Sequence, residues 1–96
     1  MSNNSSEQVI VAIPEPLRAI VGGHRELGVA PGTVAEVLVQ LTEQYPDLGP
    51  ALVTESGRLA DATVLAVDGR DIRFAEGLNT TIKAGQTLVI VQTLGI

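Results

Sequence analysis

The sequence predicts an α+β fold, a mixed sheet carrying one main helix in the order β-β-α-β-β-β. Three observations carry this. A capping box, Thr33 with Glu36, opens the single strongly amphipathic stretch. An Asp68-Gly69 pair stands between two strand-like runs, the mark of a tight hairpin. The first and last apolar runs, residues 9–13 and 87–92, are apolar on both faces, as central strands are.

The polar, Ser- and Asn-rich residues 1–8 are expected to be a disordered lead-in, and residues 9–96 the folded domain. Val9-Ile10-Val11-Ala12-Ile13 is the first strand, ended by Pro14 and Pro16. Ile20-Val21 leads into a Gly22-Gly23 loop, and residues 24–29 form a second strand of mixed, edge-like polarity. Ala30-Pro31-Gly32 turns the chain into the helix of residues 33–44. There Val34, Val37, Leu38 and Leu41 make one apolar stripe, and Glu36, Gln40 and Glu43 lie opposite. Pro46 stops it. Residues 47–53 supply one or two further helical turns, with Leu48, Leu52 and Val53 inward. Residues 63–67 and 70–74 are the hairpin strands, the second alternating Arg70, Asp71 and Arg73 with Ile72 and Phe74. Leu78 and Ile82 anchor a loop before the last strand. With the first and last strands central and adjacent, and one helix covering one face, the arrangement is a β-grasp.

Composition narrows the function classes. Ninety-six residues make one domain, 45% hydrophobic but only 2% aromatic, so the core is aliphatic. The absence of cysteine excludes disulfides, thiolate metal sites and a cysteine nucleophile, and fits a reducing cytoplasm. A formal charge of −5 with six scattered basic residues argues against nucleic acid. No stretch is long and apolar enough to span a membrane, and the first eight residues do not read as a secretory signal.

No side-chain constellation suggests catalysis. His24, the single histidine, has no partner at a ligand or general-base spacing. Glu55 and Asp61 read as solvated carboxylates, and Gly22-Gly23 as a loop rather than a processing site. Neither a phosphate-binding loop nor a nucleophile elbow is present. No cofactor, no metal and no enzymatic activity are expected. One helix leaves one sheet face uncovered, yet the first and last strands are apolar on both. An exposed apolar face formed from Val9, Val11, Val89 and Val91 is therefore expected to bind a partner protein or a second copy of the chain.

Several segments resemble the ubiquitin-like (MoaD/ThiS-type) sulfur carriers. They are Ile13-Pro14-Glu15-Pro16-Leu17-Arg18, Pro31-Gly32-Thr33-Val34, Tyr45-Pro46-Asp47-Leu48, the run from Asp68 to Phe74, Gly77-Leu78-Asn79-Thr80 and Lys83-Ala84-Gly85-Gln86. The resemblance to which they belong runs from residue 9 to about residue 94. That family includes the molybdopterin synthase small subunit and the carriers of thiamine and cysteine biosynthesis. The resemblance implies a ubiquitin-like β-grasp, an E1-like adenylating enzyme as partner, and a sulfur-accepting enzyme. It also implies chemistry at a C-terminal tail that ends in Gly-Gly, threaded through a slot with no room for a Cβ. Here the tail reads Leu94, Gly95, Ile96. The expectation is a sulfur-carrier-family protein acting through this tail, its transfer chemistry impaired by Ile96. The alternative is a non-catalytic β-grasp interaction module.

Overall fold

The computed structural model describes residues 7–56, 58–60 and 63–92. The first strand, β1 (Val9–Ala12), is followed by a short helix α1 (Glu15–Arg18) that runs on as a 3₁₀ turn to Val21. Next come β2 (Glu26–Val29), the two-residue β3 (Gly32–Thr33), the main helix α2 (Val34–Gln44) and α3 (Leu48–Leu52). The chain closes with β4 (Thr63–Val67), β5 (Arg70–Asp71), β6 (Thr81–Ile82) and β7 (Thr87–Gln92).

Five strands form one sheet in the order β2-β1-β7-β4-β5, and β3 pairs with β6 in a small second sheet. β7 lies parallel to β1 and antiparallel to β4, so the first and last long strands are adjacent and central, as their two-sided apolarity requires. This is the mixed-sheet, single-main-helix β-grasp that the sequence predicts.

Local chemistry explains most boundaries. Thr33 accepts the Glu36 backbone N–H at 3.2 Å while Glu36 accepts the Thr33 N–H at 2.9 Å, completing the capping box of α2. Val34, Val37, Leu38 and Leu41 are all buried. Asp68 and Gly69 have φ of 50° and 87°, the two positive values of a type I′ turn. Their turn joins β4 to β5.

Three local expectations are corrected. The stretch before Gly22 contains α1 and a 3₁₀ turn rather than irregular chain. Leu17 and Val21 are buried there, and Gly22 ends the turn in the left-handed region. Pro16 is tolerated because it sits in the first helical turn, where its missing N–H has no helical partner to lose. The second hairpin strand stops after Asp71, whose carboxylate accepts the Arg73 backbone N–H at 2.8 Å and starts a 3₁₀ turn over Ile72–Phe74. Ile72 is thereby buried, but Phe74 points outward, 72% exposed. In the expected second strand, pairing covers Glu26–Val29 only.

The core lies between the sheet and α2. Val9 and Val11 of β1, Leu65 and Val67 of β4, and Leu88 and Ile90 of β7 meet Val34, Val37, Leu38 and Leu41 there. Leu48 and Leu52 of α3 close one end. Among the described residues no helix is long and apolar enough to cross a membrane.

Candidate functional site

The register decides which side chains the sheet presents to each side. Val11 pairs with Leu88 and Ala12 with Val89 across the parallel β1/β7 ladder. Leu65 pairs with Ile90 and Val64 with Val91 across β4/β7. Residues in register share a face. Val9 and Val11 thus lie with Leu88 and Ile90 on the helix side, each fully buried. Val89 and Val91 lie on the opposite side with Ile10, Ala12, Val64 and Ala66. The expected set of four is therefore split. Val9 and Val11 are core residues, and a partner could not reach them without unfolding the domain. Val89 is half-buried, and Val91 is 43% exposed. The open face is an aliphatic patch of Ile10, Ala12, Val64, Ala66, Val89 and Val91. Composition alone could not distinguish the two sets, because both faces of β1 and β7 are equally apolar.

The tail residues Leu94, Gly95 and Ile96, together with Thr93, lie outside the described residues, as does Asp61. The point to which they attach is well defined. Gln92, the last residue of β7, shares the parity of Leu88 and Ile90 and turns its side chain to the helix side. Its Nε2 donates to the Ala51 carbonyl of α3 at 2.9 Å and to Thr63 Oγ1 of β4 at 3.1 Å. The root of the tail is thus pinned to a helix and a neighbouring strand. Sequence reading missed this anchor, although the period-2 pattern of β7 places Gln92 on that face.

At the opposite end of β7, Asp68 accepts the Thr87 backbone N–H at 3.0 Å and the Gln86 amide at 3.1 Å. Asp71 and Arg73 form an ion pair in which Arg73 Nε and Nη2 reach the Asp71 Oδ2 at 3.0 and 2.6 Å. Hydrogen bonds from Arg73 hold the Asp71 carboxyl below its ordinary range, and Asp71 raises Arg73 in turn. This pair shapes the turn and faces solvent.

His24 is exposed, Gly22 and Gly23 form a left-handed loop, and Glu55 is exposed. Among the described residues no group of three or more His, Asp or Glu side chains is arranged to hold a metal. Buried side-chain polar atoms among them are all hydrogen-bonded, so no orphaned group marks a catalytic pocket.

What the geometry offers is a presented tail root and an open apolar sheet face. The ThiS family model matches residues 11–95. The chain belongs to the ThiS family. Its sequence is 31% identical over 85 residues to the sulfur carrier protein CysO of Mycobacterium tuberculosis (strain ATCC 25618 / H37Rv), covering 86% of this chain and 91% of that protein. Among solved structures, a chain of the Amycolatopsis orientalis BexX/CysO complex matches with a TM-score of 0.84 and 30% identity, over 92% of this chain and 98% of that one. Small archaeal modifier protein 1 of Methanosarcina acetivorans matches with a TM-score of 0.80 and 27% identity, over 93% and 95%. These ThiS-type relatives share the ubiquitin-like β-grasp. The family match takes in the anchor Gln92 and also Leu94 and Gly95, and stops one residue before Ile96.

Proposed function

We propose that this ThiS-family protein is a sulfur carrier whose working part is the tail after Gln92, serving cofactor or cysteine biosynthesis. The observation that carries the reading is the anchored root: the central strand of the sheet ends in a side chain tied to α3 and β4, so the following residues are delivered from a fixed position. The carrier supplies no catalytic side chain of its own. Its partners are an E1-like enzyme that adenylates the tail carboxyl and a sulfur-accepting enzyme that draws on the resulting thiocarboxylate. Support comes from the similarity to CysO, a sulfur carrier protein.

Residues 94–96 set how well that chemistry runs. A β-branched Ile96 carries two heavy atoms on Cβ and a restricted χ1. Beside the reacting carboxyl it competes for space with ATP, and misplacement by about 1 Å can cost ~10²-fold in rate. The carrier reading therefore requires either that Ile96 be removed or that the enzyme's slot be wider than one built for Gly-Gly. ATP–pyrophosphate exchange with the cognate adenylating enzyme tests this. A variant in which Leu94-Gly95-Ile96 is replaced by Gly-Gly should exchange faster than the chain that retains Ile96. Equal rates would refute the steric argument, and no exchange with either would refute the carrier reading.

A second reading, a β-grasp module that docks through its sheet and has no carrier chemistry, is favoured by one observation. Val91, paired with Val64 at the β4 side of an otherwise half-buried aliphatic face, is 43% exposed. Intact mass of the protein from its native host separates the two. A gain of one sulfur for oxygen, or loss of Ile96, supports the carrier.

A further inference from the structure

On the opposite side of the domain from the open sheet face, α2 and α3 enclose a groove of about 730 Å³. Ala35, Leu38, Val39, Pro50, Val53 and Leu78 supply its apolar walls. Val39 lies on α2 outside the buried stripe and is 55% exposed. Thr42 turns its hydroxyl back to the Leu38 carbonyl, at 2.9 Å, so the hydroxyl is satisfied within the helix. Gly49 lets α3 approach α2 closely, since a Cβ there would stand 3.0 Å from Thr42 Cγ2. Two carboxylates, Glu43 and Glu55, line the groove, and neither forms an ion pair with a described residue.

We propose that this groove is a docking site for an apolar segment flanked by Lys or Arg, carried by the enzyme that handles the tail. The inference rests on the carrier reading for the identity of that enzyme. Charge complementarity argues for the occupant's chemistry. The rim is acidic, the chain carries a net charge of −5, and a basic-flanked apolar segment satisfies both the walls and the rim. Continuity with the tail root argues for its owner. Ala51, which accepts the Gln92 side chain, lies between Pro50 and Val53 in the sequence of α3 and its cap. The root of the tail is thus bonded to the same helix that, through Gly49 and Pro50, forms one wall of the groove.

The test uses the whole chain, isotopically labelled, and two synthetic amphipathic peptides of about 14 residues, four helical turns. Both place Leu at i, i+3, i+4 spacing; one carries Lys on its polar face and the other Glu. The Lys peptide should shift the backbone signals of Ala35, Val39, Gly49 and Leu78 saturably, and the Glu peptide should bind at least tenfold more weakly. Val39→Glu, at an exposed position, and the double variant Glu43→Lys/Glu55→Lys should each weaken the Lys peptide tenfold or more. With the adenylating enzyme, the same variants should raise the KM for the carrier and leave kcat unchanged.

No saturable shift at millimolar Lys peptide, or equal binding of both peptides, overturns the inference. So do shifts confined to Ile10, Val64 and Val91 on the sheet face, or groove signals that move with protein concentration alone, which would make the occupant a second copy. Variants that abolish peptide binding but leave the carrier's KM unchanged overturn the assignment to that enzyme. Normal exchange kinetics in a chain that ignores the peptide would remove this inference and leave the carrier reading standing.

Discussion

Gly49→Ala offers a sharp test of how α3 is held against α2, because opposing effects meet there. Gly49 is the second residue of α3, with no left-handed φ, but Pro50 follows it, and a Cβ on the residue before a proline disfavours the helical region. Helix propensity favours alanine by up to about 1 kcal/mol, and the strain before Pro50 removes much of that gain. Against this, the new Cβ would sit 3.0 Å from Thr42 Cγ2 and 3.2 Å from Thr42 Oγ1. Thr42 has little room to yield. Its χ1 is restricted, and rotating it gives up the 2.9 Å bond to the Leu38 carbonyl, worth about 0.5–1.5 kcal/mol. Moving α3 instead disturbs Leu48 and Leu52, both buried, and overpacking of this kind costs about 1–3 kcal/mol. The net expectation is a loss of roughly 1 kcal/mol for Gly49→Ala alone. With Thr42→Ala already in place both clashing Thr42 atoms are gone, only the Pro50 restriction remains against the propensity gain, and the same change should be neutral to within about 0.5 kcal/mol. The coupling between the two positions is therefore about 1 kcal/mol, above the additivity error for independent sites. Urea denaturation followed by circular dichroism measures it, provided the m-value stays constant across the four proteins. If Gly49→Ala has the same effect with and without Thr42, the close approach of α3 to α2 is not as described.

Two further expectations concern the sheet and its hairpin. Val91→Asp should cost about 1 kcal/mol, from lost strand propensity and pairing with Val64, and should keep the cooperative fold while weakening any association through the open sheet face. Val11→Asp, which buries an unpaired charge, should unfold the domain, as the loss of the cooperative thermal transition would show. Indifference to Val11→Asp would mean the register is wrong. Asp71 has its folded pKa depressed below 3.8 by Arg73, so its contribution to stability is present above that value and lost as pH falls through the folded pKa. The stability difference between the wild type and Asp71→Asn should be constant near neutral pH and should narrow as the pH falls through the lowered folded pKa of Asp71. A difference that persists unchanged in acid would exclude the Arg73 interaction as its cause.

The parts of the fold that were legible in the sequence are those where one local rule acts without competition. Thr33 and Glu36 cap a helix wherever they meet an apolar stripe, and Asp68-Gly69 adopts two positive φ values at small cost, so both elements could be placed from their residues. The parts that were not legible depend on pairing partners. Nothing in Val9-Ile10-Val11-Ala12-Ile13 says which alternate residues meet the helix, because valine and isoleucine occupy both parities. The parallel register of Val11 with Leu88 settles it, and no single-strand pattern encodes that register. Phe74 was misplaced for a different reason. Alternation predicted an inward ring, but the Asp71 carboxylate captures the Arg73 N–H and converts the strand into a 3₁₀ turn, which changes the side-chain period from two to three.

The same distinction bears on function. An enzyme of this size would have to show its chemistry in side chains, and a reader could look for a base, a nucleophile or a metal set. A carrier shows its chemistry in the backbone of a short tail, while its folded domain has only to hold that tail out and be recognised. On the proposed reading, the residues that would perform those two tasks are chemically ordinary: a glutamine bonded to a helix carbonyl, an aliphatic strand face, and two carboxylates beside an apolar groove. None is conspicuous in sequence. Each acquires meaning from what the fold sets beside it. Gln92 is an anchor because Ala51 and Thr63 stand within 3.1 Å of its amide, and Val91 is a candidate contact because Val64 and Val89 flank it on a face that no helix among the described residues covers. Variants at these positions should therefore separate delivery of the tail from recognition of the domain. Loosening Gln92 should affect how the tail is presented to any enzyme, whereas changing Val91 or the groove should affect only the partner that uses that surface.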